Sequence, residues 1–133
     1  MNKENLQRMA DYIRTIPQGK FDMQVWRNGQ EEKAECDSVG CVIGHCTVLD
    51  AENIEKFIGF WDKIDFDTWS EFFTGIDTGS AKWYWCFDAD WHYRDNTPEG
   101  AALRIEWLIK NGVPENWKSQ LNGEAALCYY DNP

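Results

Sequence analysis

The chain has 133 residues and a formal net charge of −10, from 13 basic and 23 acidic side chains. That length suits one domain with a real core, and an aromatic content of 15 %, including eight Trp, excludes a disordered chain. Cations this few and scattered speak against direct nucleic-acid binding and against an anionic membrane surface, and the acids form no dense row of the kind a nucleic-acid mimic needs, being spread as 12 over residues 1–66 and 11 over residues 67–133.

In chain order, Asn2 to Ile16 reads as a helix. Leu6, Met9, Ile13 and Ile16 make one stripe, Asn2 is a cap and Pro17-Gln18-Gly19 a stop. Phe21, Met23 and Val25 alternate as a short extended segment, followed by an Asn28-Gly29 turn and a polar loop from Gln30 to Glu35. Ser38 to Leu49 reads as a second helix, apolar nearly all round and therefore central. Glu52 to Trp61 is a third, with Ile54, Phe57, Ile58 and Trp61 on one side. A short fourth is capped by Asp67, with Trp69, Phe72 and Phe73 facing inward. Ser80 caps a further turn over Ala81–Trp91. Thr97, with Pro98 behind it, opens the clearest helix, whose apolar face is Ala101, Ala102, Ile105, Leu108 and Ile109 and whose stop is Gly112. Val113-Pro114 leads into a last short helix through Leu121, and the tail from Glu124 is apolar enough to pack back. The expected fold is a single compact domain over residues 1–133, mainly α, with about six helices, several of them short, and at most a small two-stranded β element.

Met1 is followed by Asn2-Lys3-Glu4-Asn5 rather than by an apolar run. No apolar run nears the roughly 20 residues of a spanning helix. Five cysteines are an odd count in a domain that needs no staples. Together these lead us to expect a cytoplasmic protein with reduced thiols and no membrane partner.

The octet Val39–Cys46 invites a chemical reading. Gly40 and Gly44 share a helical face, where two glycines suggest close approach of a large ring. Cys41 and His45 share another face. A thiol in the first turn of a helix beside an imidazole is the skeleton of a nucleophile, Cys41, with its base, His45. No third orienting group and no oxyanion hole can be identified, and buried packing is the commoner role of a free cysteine. A structural zinc site would draw on Cys36, Cys41, His45 and Cys46, with Cys86 or His92 from elsewhere. Cys36 to Cys41 is a C-x4-C knuckle at the long end of the usual spacing, with no second knuckle to match.

The second constellation is Trp83 to Gly100. Trp83, Trp85, Phe87, Trp91 and Tyr93 crowd with Asp88, Asp90 and Asp95. One reading is an aromatic platform that stacks a base or a partner's side chain, with the acids reading donors. The other is that the aromatics fill a core while the acids cap turns. No phosphate-binding Gly-rich loop, HExxH or GxSxG occurs, so binding is expected rather than catalysis, and no cofactor other than the alternative zinc.

The segments "KFDMQVW" (Lys20–Trp26), "CDSVGCVIGH" (Cys36–His45), and Trp91 followed by "DNTPEGAALRIEWLIKNGVP" (Asp95–Pro114) give the chain a resemblance. It resembles small uncharacterised proteins of bacteriophages and bacterial mobile elements. These carry Phe-Asp-Met, then Cys-Gly-Thr-x-x-Cys-x-x-Gly, then a Thr-Pro-x-x-Ala helix ending in Gly. Asp37-Ser38 stands here where Gly-Thr would stand. The resemblance implies an accessory protein in a host-directed or anti-defence role, and no activity. The expected partner is a host protein or a small nucleotide-like ligand, bound through Trp83, Trp85, Asp88, Asp90, Trp91 and His92.

Overall fold

Asn2 holds an extended backbone, and its side-chain oxygen accepts the amide N–H of Asn5 at 2.9 Å, so the first helix, α1 (Lys3–Ile13), starts where the cap places it. The structure is a computed structural model and describes residues 1–26 and 39–122. Leu6, Met9, Ala10 and Ile13 of α1 are buried. They face α5 (Pro98–Asn111), with which α1 makes its most extensive contact. Ala10, Ala101 and Ala102 are fully buried, and their short side chains let the two helices approach closely. Arg14 closes the pair outside the core, its guanidinium reaching Glu99 at 3.0 Å and Glu106 at 2.5 Å.

The expected Ser38–Leu49 helix is shorter. α2 (Val42–Cys46) runs on as a 3-10 turn over Thr47–Asp50. Ser38 lies outside the described residues, and Cys41 holds the N-cap position without a side-chain cap bond. Val48 is exposed, so the apolar girdle is not complete. The helix expected over Glu52–Trp61 is instead a 3-10 turn, Ile54–Phe57, followed by a tight reversal. There Ile58 bridges Ile64 and the Gly59 amide donates to the Lys63 carbonyl at 2.8 Å. Trp61 and Asp62 turn the chain with positive φ, and the Trp61 ring stands 89 % exposed, not inward.

α3 (Phe66–Thr74) is capped by Asp65 rather than Asp67, and Gly75 ends it at φ +68. Trp69 and Phe73 are buried as expected, whereas Phe72 is exposed. α4 (Ala81–Phe87) is capped by Ser80 and α5 by Thr97 with Pro98 behind it, as the sequence leads one to expect. A 3-10 turn over Ala89–Tyr93 joins them, and α6 (Trp117–Asn122) follows α5. The fold is mainly α. Among the described residues, extended pairing consists of two isolated bridges, Phe21 with Gly40 and Ile58 with Ile64. The larger buried aromatics, Trp69, Trp83, Trp85, Phe87 and Trp91, belong to one core with the α1 and α5 stripes. No described helix is long and apolar enough to cross a membrane.

Candidate functional site

Residue 104 lies on the buried face of α5, between Ala101 and Leu108, yet it is arginine. Two tryptophans hold it there. Trp85 of α4 donates its indole N–H to the Arg104 carbonyl at 2.9 Å, which ties α4 to α5. Trp91, on the following turn, donates to the Trp85 carbonyl at 2.9 Å and packs edge-on against the Trp85 ring, with centroids 5.4 Å apart. This leaves the Trp91 ring beneath the guanidinium of Arg104, whose central carbon is 4.1 Å from the ring centroid. The side chain is only 6 % exposed.

The cation is poorly matched. Nη1 donates to the Asp95 carbonyl at 3.3 Å and lies 3.8 Å from an Asp95 carboxylate oxygen, both long contacts. Nε and Nη2 are buried and have no acceptor among the described residues. Each buried donor without a partner costs about 1–3 kcal/mol, and more for a charged group. The ring face returns about 2 kcal/mol to a desolvated cation, so the imbalance falls against the charge. The guanidinium is accordingly pushed down to about 10 by burial, with Asp95 opposing.

Arg104 borders a cleft of about 390 Å³ between α4, α5 and α6. Its walls are Trp85, Trp91, Leu103, Trp107 and Pro114, with Asp95, Asn116 and Gln120 as the other polar groups. Leu103 and Trp107 are half exposed. Asp95 is held at the rim, where its carboxylate accepts the Thr97 hydroxyl at 2.5 Å. Gly100 makes room for it, because a Cβ there would overlap the Asp95 carboxylate. A concave space with aromatic walls, few polar groups and one unmatched buried cation is a ligand-site geometry.

The sequence-based candidates fall in different places. Trp85 and Trp91 line this cleft, with most of their surface in the core. Trp83 is buried and lines a smaller cavity of about 150 Å³ with Met23, Trp26, Cys41 and Phe87. Asp88 caps the turn after α4, accepting the Asp90 amide at 2.8 Å. His92 reaches Asp22 at 3.0 Å and Asn96 at 3.1 Å, tying the segment after α1 to the approach to α5. Six residues expected to share one binding surface therefore divide between a cleft wall, the core and local structure.

Cys41 is 3 % exposed, and burial pushes its thiol up to about 11, although backbone N–H groups of Gly44 and Ile43 pull the other way. A thiolate nucleophile needs the opposite shift. His45 is buried, with Nε2 2.6 Å from the Lys20 carbonyl, so that nitrogen donates there. Cys46 is fully buried, 3.9 Å from the Met9 carbonyl, and burial holds its thiol well above the usual range. Neither placement favours nucleophilic catalysis. Among the described residues no three His, Cys, Asp or Glu side chains stand together as a metal site, and Cys36 of the zinc set lies outside them.

Arg104, Leu103 and Trp107 escaped the sequence reading, whereas Asp95 belongs to the expected Trp83–Gly100 constellation and lines the cleft. Arg104 had a usable signal: an arginine three residues after Ala101 and four before Leu108 sits on an apolar helical stripe. Comparison with protein-family models, with curated proteins and with solved structures finds no match for the chain.

Proposed function

We propose that the protein works by binding a small ligand in the cleft between α4, α5 and α6, and that the ligand carries an anionic group on a flat or apolar body. Of the two partners that the sequence suggests, a host protein or a small nucleotide-like molecule, the cleft supports the small molecule. The observation that carries this reading is the buried pair of Arg104 N–H groups, without an acceptor among the described residues, beside a concave aromatic wall. Once Arg104 turns that edge toward the cleft, an anion supplies the acceptors that the described residues leave out, and the exposed faces of Leu103 and Trp107 receive its body.

Thermal unfolding of the full chain against a panel of small anions tests the proposal. The panel holds nucleoside monophosphates, aromatic acids and aliphatic acids. A ligand present at 100 times its Kd stabilises by about 2.7 kcal/mol, so at least one class should raise Tm saturably. Absence of stabilisation by every class overturns the reading.

A further inference from the structure

We infer that the cleft is built for a singly charged carboxylate, taken side-on by the Nε/Nη2 edge of Arg104, and not for a phosphate. This rests on the cleft being the ligand site and names the ligand's chemistry. Four features of the cleft lead to it.

The first is shape. Nη1 is already turned to Asp95, so the remaining donors of Arg104 are the two that form one parallel fork. A carboxylate offers two coplanar acceptors and meets that fork bidentately. The second is charge. Among the described residues that line the cleft Arg104 is the only cation, and Asp95 already stands 3.8 Å from it. A carboxylate brings the sum over ligand, Arg104 and Asp95 to −1, whereas a phosphate monoester near neutral pH brings it to about −2. In a chain of net charge −10 the second anionic charge meets no compensation.

The third is the wall. Leu103 and Trp107 stand one helical turn apart on α5, half exposed, and present an apolar strip beside the cation. An acid with a ring or short alkyl body covers that strip while its head reaches Arg104. The fourth is weak polar anchoring. Nε and Nη2 are buried in this structure, so the side chain must turn its fork toward the cleft to meet a ligand. Among the described residues the polar contacts of the guanidinium that such a turn would give up are the two long ones to Asp95, and the guanidinium lies over the Trp91 ring.

Calorimetric titration of the full chain with benzoate, benzamide and phenyl phosphate decides the matter, because the three share a ring and differ in head group. Benzoate should bind saturably, with benzamide and phenyl phosphate at least tenfold weaker. Arg104→Lys keeps the charge and loses the fork, and should weaken benzoate at least tenfold. Trp107→Ala, at an exposed position that does not threaten folding, should weaken benzoate several-fold and leave acetate unchanged. Benzamide binding as tightly as benzoate overturns the role of Arg104. Phenyl phosphate binding as tightly as benzoate overturns the preference for carboxylate while the small-anion reading stands. No binding of any carboxylate, with stabilisation by the nucleoside monophosphates of the panel, overturns this inference alone; no stabilisation by any anion overturns both.

Discussion

Arg104 is a residue that the fold tolerates at a cost. Its stem fills helix-packing space on α5, and its head brings a buried charge with two donors unmatched among the described residues. Replacing a poorly paired buried ion by an apolar side chain of similar volume is commonly neutral or stabilising by about 1–4 kcal/mol. Arg104→Met therefore separates the residue's two roles. The urea midpoint of this variant should stay level or rise by the equivalent of about 1 kcal/mol, while benzoate binding disappears. A loss of more than about 2 kcal/mol would show that the cation holds the fold together, as breaking a well-made buried pair does. Cys41 makes the contrast. Its sulfur is equally buried but uncharged, and burial that leaves arginine unmatched only makes a thiol inert.

At the scale of elements, caps were legible and short irregular turns were not. Asn2, Ser80 and Thr97 stand in the sequence as caps, and each accepts the N–H three residues ahead. Asp65 displaces Asp67 as cap of α3 because starting there brings Phe66 into the helix as a buried residue. Ile54, Phe57, Ile58 and Trp61 are spaced for a helix, but Ile58 pairs with Ile64 instead. The chain then reverses through Trp61 and Asp62 at positive φ, a conformation that a bulky side chain disfavours and local propensity does not announce. The α1–α5 pairing was legible in its apolar stripes, although its polar clamp was not. Arg14 and then Gln7 hydrogen-bond Glu106 and hold its carboxyl down to about 2, against the usual 4.5. A carboxyl lowered on folding contributes stability that is full above pH 4.5 and lost as pH falls toward 2. Both partners are about a third exposed, so solvent screening limits the pair to under about 1 kcal/mol. Glu106→Gln should thus lower stability by about 0.5–1 kcal/mol at pH 7. The gap to the parent should close by more than half at pH 3, measured as urea midpoints at the two pH values.

Across the whole molecule, tryptophan does two jobs that composition cannot tell apart. Eight Trp in 133 residues imply a Trp-rich core, and Trp69, Trp83, Trp85 and Trp91 are buried as that implies, with Trp26 and Trp117 packed at its edge. Trp61 and Trp107 are 89 % and 50 % exposed. Nothing in their local sequence sets them apart. Trp61 is exposed because the reversal after Ile58 lifts it from the surface, and Trp107 because α5 spends its buried face on Arg104, Ile105 and Leu108. The two also differ in setting, since Trp107 lines the cleft and Trp61 does not. Tryptophan oxidation by a small uncharged reagent, mapped by peptide mass, turns that difference into a test of the molecule as a whole. A neutral reagent is required because an anionic quencher is repelled by a chain of charge −10 and under-reports exposure. Trp61 and Trp107 should react first, with the four core tryptophans protected until the chain unfolds. Saturating benzoate should then slow Trp107 alone and leave Trp61 at its original rate. Rapid oxidation of Trp85 or Trp91 in the folded chain would contradict the core packing from which the Arg104 cleft is built. Equal protection of Trp61 and Trp107 by benzoate would move ligand binding away from the cleft.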